Sequence, residues 1–314
     1  MHILVTGGCG YIGTNLTNRL LDDGYQVTVV DLMWFGNYLE DHENLRVIKS
    51  DIREIDQVPM KGIGAIIHLA NIANDPTGDL NPKVTWEVNV LASMLLIEKA
   101  IKNGVKQFIF ASSGSVYGVK EEPQVTEDLP LLPISDYNKS KMISERILLS
   151  YQDKITLQII RPATVCGYSP RMRLDLSVSM LTMQALTNSK ITVFGGQQTR
   201  PNIHMNDMIG VYLHFLELGA KAPGIYNAGF ENISILDIAK KVTEYIPAEI
   251  EITESNDPRS YRQNSDRLIG TGFTPEYGIE NGIKDVIKAY NPGRLRDEDL
   301  YYNIRTMQKL ENLN

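Results

Sequence analysis

The sequence predicts an α/β protein in which a doubly wound parallel sheet is followed by a smaller C-terminal α/β lobe. Three observations lead there. Short runs rich in Val and Ile alternate with helical stretches through the first half of the chain. A glycine-rich turn directly follows the first of these runs. With 314 residues, 43% of them apolar and 22% charged, the composition is that of an ordinary globular protein large enough for a sheet and a lobe.

Strands are expected at 3–6, 26–31, 46–51, 65–70, 107–112 and 156–161. They are apolar on both faces, as strands covered by helices on both sides should be. Helices are expected near 12–23, 84–103 and 136–151, and strands alternating with helices imply right-handed parallel crossovers. After Arg161 the rhythm changes. Pro162, Pro170, Arg171 and Arg173 interrupt it before a Met/Leu-rich helical stretch over about 174–188. Gly195-Gly196 reads as a turn. Ser234, with Asp237 three residues on, opens a helix to about Tyr245. The tail from Pro292 is charged and lacks a strong pattern. The expected division is a nucleotide-binding domain over 1–165, also receiving about 204–228, and a substrate-binding lobe from 166–203 and 229–314.

Several function classes are disfavoured at once. No apolar run approaches the roughly 20 residues that span a bilayer. Met1 leads straight into His2-Ile3-Leu4-Val5-Thr6 without a basic leader, so a cytoplasmic protein is expected. Cys9 and Cys166 are too few for a disulfide scaffold or a zinc site, and the five histidines show no metal-ligand spacing, so no metal is expected. A net charge of −7 argues against a nucleic-acid binder.

The first run leads into Gly7-Gly8-Cys9-Gly10-Tyr11-Ile12-Gly13 and then a helix. The glycines can be read as 8, 10, 13 or as 7, 10, 13. Either way a tight backbone turn and a helix N-terminus with free N–H groups suit a pyrophosphate, the feature of a Rossmann-type dinucleotide site. Asp31 ends the second strand, where a carboxylate accepts from ribose hydroxyls and repels a 2′-phosphate, favouring NAD over NADP. Asp51, expected to end the third strand, is placed to reach the adenine edge.

Tyr137-Asn138-Lys139-Ser140-Lys141 opens a helix, which puts Tyr137 and Lys141 on one face. A free tyrosine has a pKa of about 10 and is about 0.1% phenolate at pH 7. Lowering it by about three units takes roughly 4 kcal/mol of preference for the anion, which an ammonium and an oxidised nicotinamide could supply in a water-poor site. Tyr137 would then take the proton of a hydroxyl while hydride leaves the same carbon. Ser112 and Ser113, ending the fifth strand, offer a hydroxyl to orient the reacting oxygen.

In this order, Gly7–Gly13, Asp31, His68-Leu69-Ala70-Asn71, Asn89-Val90, Ser112–Gly118, Tyr137–Lys141 and Arg161-Pro162 resemble the extended short-chain dehydrogenases/reductases of the nucleotide-sugar epimerase/dehydratase family. The resemblance implies Ser113, Tyr137 and Lys141 as the catalytic group. It implies NAD held by Gly7, Gly10, Tyr11, Ile12, Gly13, Asp31, Asp51, Ile52, Leu69, Ala70, Asn71, Ser112 and Pro162, together with Tyr137 and Lys141. His68 is read as a core strand residue and Asn89 as a loop brace. Family dehydratases and decarboxylases carry an acid just after the catalytic hydroxyl; here Ser113-Gly114-Ser115 supplies none, which favours an epimerase similar to the UDP-glucose 4-epimerases. A 4-dehydrogenase or reductase stays open, because Ser169-Pro170-Arg171-Met172-Arg173-Leu174-Asp175 also resembles a subgroup that includes GDP-heptose 4-dehydrogenases. A non-catalytic NAD-binding regulator is the alternative of another class.

For the substrate, the resemblance implies a nucleotide diphosphate clamped by Arg200 and by one of Arg259 or Arg262. Arg171 or Arg173, Ser115 and Thr164 are further candidates, Thr164 standing where the family has asparagine. Guanidinium groups suit this because they stay charged and bind phosphate oxygens in pairs. Helices 84–103 and 136–151 carry apolar residues beyond one stripe, among them Trp86, Leu91, Met94 and Leu95, so a homodimer is expected.

Overall fold

A computed structural model describes residues 1–254 and 260–311. Among the described residues the strands are β1 (His2–Thr6), β2 (Gln26–Asp31), β3 (Leu45–Lys49), β4 (Ala65–His68), β5 (Gln107–Ala111), β6 (Thr156–Pro162), β7 (Thr164–Cys166), β8 (Lys190–Phe194), β9 (Thr199–His204), β10 (Gly224–Ala228), β11 (Glu231–Ser234) and β12 (Glu249–Thr253). The α-helices are α1 (Tyr11–Asp22), α2 (Asp75–Gly78), α3 (Pro82–Trp86), α4 (Ala92–Lys102), α5 (Asp136–Leu149), α6 (Ser177–Asn188), α7 (Met205–Leu218), α8 (Ile235–Thr243), α9 (Asp266–Ile269), α10 (Ile279–Tyr290) and α11 (Asn303–Glu311).

Seven strands form one sheet in the order β10-β6-β5-β4-β1-β2-β3, every neighbouring pair parallel. The strand order reverses at β1, between β2 and β4, and such a switch point leaves a crevice outside the carboxyl ends of the strands. Side-chain alternation along β1 shows how the sheet is covered. Ile3 and Val5 pack with Leu16 and Leu20 of α1 and Val211 and Phe215 of α7, whereas Leu4 packs with Leu96 and Ile97 of α4 and Leu148 of α5. Two small sheets, β11-β9-β7 and β12-β8, stand apart from the main one. Ile191 and Val193 of β8 share a core with Val178 and Leu181 of α6, Ile238 and Val242 of α8, and Ile279 and Ile283 of α10.

Three expectations are corrected. The helix predicted over 84–103 is α3, a wide π turn at Glu87–Leu91, and α4. In that turn the Asn89 carbonyl accepts from the hydroxyls of Ser93 (2.6 Å) and Ser144 (2.7 Å), side-chain bonds that compete with the regular helical ladder. The third strand stops at Lys49, so Asp51 lies beyond it in a turn. The tail is not patternless: it ends in α11, whose Met307 is 7% exposed among the apolar side chains on the α4 side of the sheet.

Candidate active site

A cavity of about 690 Å³ opens at the carboxyl ends of the parallel strands. One wall is the glycine turn. Gly7 has φ +74°, and a Cβ there would lie 2.6 Å from the amide nitrogen of Ala70. A Cβ on Gly13 would lie 2.1 Å from the carbonyl oxygen of Gly7. Only glycine lets the loop and the start of α1 approach this closely. Gly10 is the N-cap of α1 and offers no side-chain cap, so the first-turn amides face the cavity uncapped. These features fit the pyrophosphate of a dinucleotide.

Asp31, at the end of β2, accepts from the amides of Cys9 (3.0 Å) and Met33 (2.7 Å). Burial raises its pKa, against those two amides and Arg171, which lower it. Asp51 and Ile52 line the same end with Trp34 and Phe35. Burial pushes the Asp51 carboxyl up, but its bonds from Arg53 prevail and hold it below the usual range. Leu69, Ala70, Asn71, Ser112 and Pro162 also line the cavity, as do Gly7, Gly10, Tyr11, Ile12 and Gly13. Cys9 is a buried thiol pushed up to about 12 by burial, a filler and not a nucleophile. His68 bonds Thr6 Oγ1 (2.6 Å) and Ser93 Oγ (2.9 Å), and burial lowers its pKa to about 3, so it is a neutral core residue.

Ser113 follows β5 and caps a short turn, its Oγ accepting from the Ser115 amide at 3.2 Å. The two hydroxyls are 2.7 Å apart, and Ser115 donates to Asn138 Oδ1. Ser112 donates instead to Glu145, whose carboxylate forms a buried pair with Arg161 at 2.7 Å. Arg161 in turn donates to the Tyr117 hydroxyl at 2.7 Å. Thus Ser112 fastens α5 to the sheet, while the Ser113 hydroxyl is left beside Ser115 and Tyr137 at the cavity wall. Ser135 caps α5 by accepting from the Asn138 amide (3.1 Å), which fixes Tyr137 in the first turn beside Ser113.

The electrostatics differ from the sequence expectation. Burial pushes the Tyr137 phenol up to about 12; Ser113 and Arg173 pull it down, and Asp75 pushes it further up. The Lys141 ammonium is engaged elsewhere. Lys141 is buried, does not line the cavity, donates to the Ala111 carbonyl at 2.8 Å and lies 4.8 Å from the Phe110 ring centre. Burial lowers its own pKa to about 7. The helical spacing puts both residues on one face, but the lysine has taken the backbone acceptor at the end of β5.

Sequence reasoning missed four parts of this cavity. Asp75 of α2 lies close enough to act on Tyr137, and its carboxylate accepts from Ser135 Oγ. Asn74, at φ +76°, donates to Asp175 (2.9 Å), which is paired with Arg173 (2.9 Å). Tyr212 of α7 lines the cavity with a buried hydroxyl that has no partner. Ile304 and Met307 of α11 close its edge. A lone acid in Asn74-Asp75-Pro76 carries no signal of its own, whereas Ile304 and Met307 recur at helical spacing and could have marked a helix in the tail; only tertiary packing brings both segments here.

At the lobe side, Thr164, Arg200 and Tyr261 line the cavity. Arg200 sits on β9 opposite Ile233 of β11. Arg262 does not join them: its side chain is exposed, off the cavity, because its backbone carbonyl is turned to the Val125 amide (2.7 Å) and Tyr261 faces inward instead. Arg259 lies outside the described residues. Arg173 lines the cavity near Tyr137, whereas Arg171 lies at the Asp31 end, stacked 3.9 Å from the Phe35 ring centre, away from Arg200's segment.

Known proteins match along nearly the whole chain. A UDP-glucose 4-epimerase of Lactobacillus helveticus is 27% identical over 91% of this chain and 95% of its own length. UDP-glucuronic acid decarboxylase 1 of Danio rerio is 27% identical over 92% of this chain and 72% of its own length. A crystal structure of UDP-glucuronic acid 4-epimerase from Bacillus cereus, in complex with UDP-glucuronic acid and NAD, superimposes with a TM-score of 0.79 at 27% identity, over 92% of this chain and all of that one. The family model for the NAD dependent epimerase/dehydratase family matches residues 3–229. The chain belongs to the NAD dependent epimerase/dehydratase family.

Proposed function

We propose that this protein is a nucleotide-sugar epimerase that oxidises one sugar hydroxyl, at C4, and reduces the ketone from the opposite face. The observation that carries this reading is a single cavity holding the uncapped glycine turn and Asp31 at one end, Ser113 and Tyr137 in the middle, and Arg200 at the other. NAD, when bound, supplies the hydride acceptor and returns the hydride. The glycine turn and Asp31 hold it, with Asp51, Ile52, Leu69, Ala70, Asn71 and Pro162 along its length. Ser113 orients the reacting oxygen, and Tyr137 takes its proton and gives it back. Burial alone keeps that phenol protonated, so the anion depends on Ser113, on Arg173 and on positive charge brought by the ligands. Lys141 acts as a positioning group that fixes the end of β5 through Ala111. Arg200 anchors the diphosphate so that the sugar can turn between the two transfers, with Ser115 and Thr164 as neighbours of the sugar.

Leu91 is 48% exposed beside the half-buried Trp86, Met94 and Leu95, a face suited to a second copy in a homodimer. No helix among the described residues is long and apolar enough to cross a membrane.

The test is a panel of UDP-, GDP-, CDP- and dTDP-sugars followed by proton NMR and by absorbance of reduced nicotinamide. Isomerisation without net reduced cofactor is expected. Stoichiometric reduction would identify a dehydrogenase instead. Tyr137→Phe should keep NAD binding and lose turnover; full activity in that variant would refute the assigned base.

A further inference from the structure

Three segments far apart in sequence meet at the Asp31 end of the cavity: Trp34 and Phe35 after β2, Arg171 after β7, and Asn303, Ile304 and Met307 of α11. Arg171 is only 2% exposed. Its guanidinium lies 3.9 Å from the Phe35 ring centre and donates to two neutral acceptors, the Met172 carbonyl (3.0 Å) and Asn303 Oδ1 (2.5 Å). Its Nε is buried with no partner, and among the described residues no carboxylate pairs with it. Asp175 and Asp31 lie near enough to act on this cation, but neither hydrogen-bonds it, and a buried guanidinium without a directly paired anion is costly where it faces a cavity. Burial, with Arg173 nearby, lowers its pKa to about 9, against a partial upward pull from Asp175 and Asp31. Helix α11 is fastened in place: Leu174 donates to the Tyr301 carbonyl at 2.9 Å, and Met307 packs among the apolar side chains that Trp34, Phe35 and Ile52 border.

We propose that Arg171 and α11 form a clamp over the adenosine and pyrophosphate portion of the dinucleotide, which supplies the missing anion and is thereby held through turnover. Arg171 is thus assigned to the cofactor and not to the substrate diphosphate. The clamp is independent of which sugar reaction follows, because binding of a nicotinamide-free fragment needs no turnover.

The experiment measures affinities and dissociation rates of NAD, ADP-ribose and UDP for the full chain by calorimetry and stopped-flow displacement. Arg171→Gln is compared with Asn303→Ala/Met307→Ala, which leaves the arginine in place and covers the case in which the first variant does not fold. Both are expected to bind NAD and ADP-ribose about 10- to 100-fold more weakly through faster release, the first by losing a charge-assisted contact and the second by losing the helix contact that orients Arg171 and covers the cavity. UDP affinity should stay unchanged. Unaltered NAD and ADP-ribose release in the folded variants would overturn the clamp. Weakened UDP binding with ADP-ribose intact would return Arg171 to the substrate and overturn it equally. Failure of the sugar panel with these shifts present would refute the epimerase and leave the clamp standing.

Discussion

Lys141→Met separates the cost of burying the lysine from its use. The ammonium is enclosed by the end of β5 and Phe110, and burial brings its pKa from 10.5 to about 7, against an upward pull from Glu145. In the unfolded chain the lysine keeps its ordinary value, so between pH 7 and 10.5 the unfolded state binds more protons and stability rises with pH. A shift of that size corresponds to about 5 kcal/mol fully felt below pH 7 and absent above 10.5, of which about 2 kcal/mol is relieved between pH 7 and 9. Urea unfolding of the cofactor-free protein at several pH values, wild type against Lys141→Met, isolates this residue, because every other titrating group is shared. The wild type should gain about 2 kcal/mol on the variant from pH 7 to 9, with little change from 6 to 7. The hydrogen bond to Ala111 adds only a constant offset. A difference that stays flat, or that shrinks with rising pH, would show that the folded protein does not disfavour the ammonium.

Two further substitutions probe the ends of the cavity. Gly13→Ala places a Cβ 2.1 Å from the Gly7 carbonyl, so the backbone of the turn must shift; NAD affinity should fall about 10- to 100-fold by titration calorimetry, and the apo protein should lose about 1–3 kcal/mol of stability, read as a lowered melting temperature. Arg200→Ala should raise KM for the nucleotide sugar about 10- to 100-fold with kcat nearly kept, since a remote anchor holds ground and transition states alike; unchanged KM would remove Arg200 from the clamp.

What could be read from sequence was what is local. The glycine turn, Asp31 and the two-sided strands are set by neighbours in the chain, and β1, β2 and β5 begin or end within a residue of expectation. The Ser135 cap fixed Tyr137 by the same local logic. Lys141 shows the limit: helical spacing defines a face but not which acceptor a long side chain takes, and Ala111 competes with the tyrosine for it. Arg262 and Tyr261 differ by one position in an irregular segment, where no period says which faces inward. Helix α11 is amphipathic in its own sequence, with Ile304 and Met307 three apart, so the helix was legible; that it packs beside Trp34 and Phe35 is not visible until the chain is folded.

The position of Asp75 beside Tyr137 makes it the group to test for chemistry beyond one carbon. Gly78 of α2 is so close to Tyr137 that a Cβ there would lie 2.9 Å from the tyrosine Cβ, and the strained Asn74 caps α2 while holding Asp175. The carboxylate of Asp75 is thereby fixed near the phenol and pushes its pKa up. A transient ketone makes the hydrogens on its adjacent carbons acidic, and a carboxylate that reached one would exchange it with solvent, the first step of an elimination. In an epimerase Asp75 acts on Tyr137 alone. Turnover in D2O should then leave no carbon-bound deuterium in the product, and Asp75→Asn should move the rise of activity with pH to lower pH, because a negative neighbour of the phenol is gone. Deuterium that enters the ring in the wild type and is lost in Asp75→Asn would make the aspartate a second base, and the protein would then carry the acid that Gly114 and Ser115 lack.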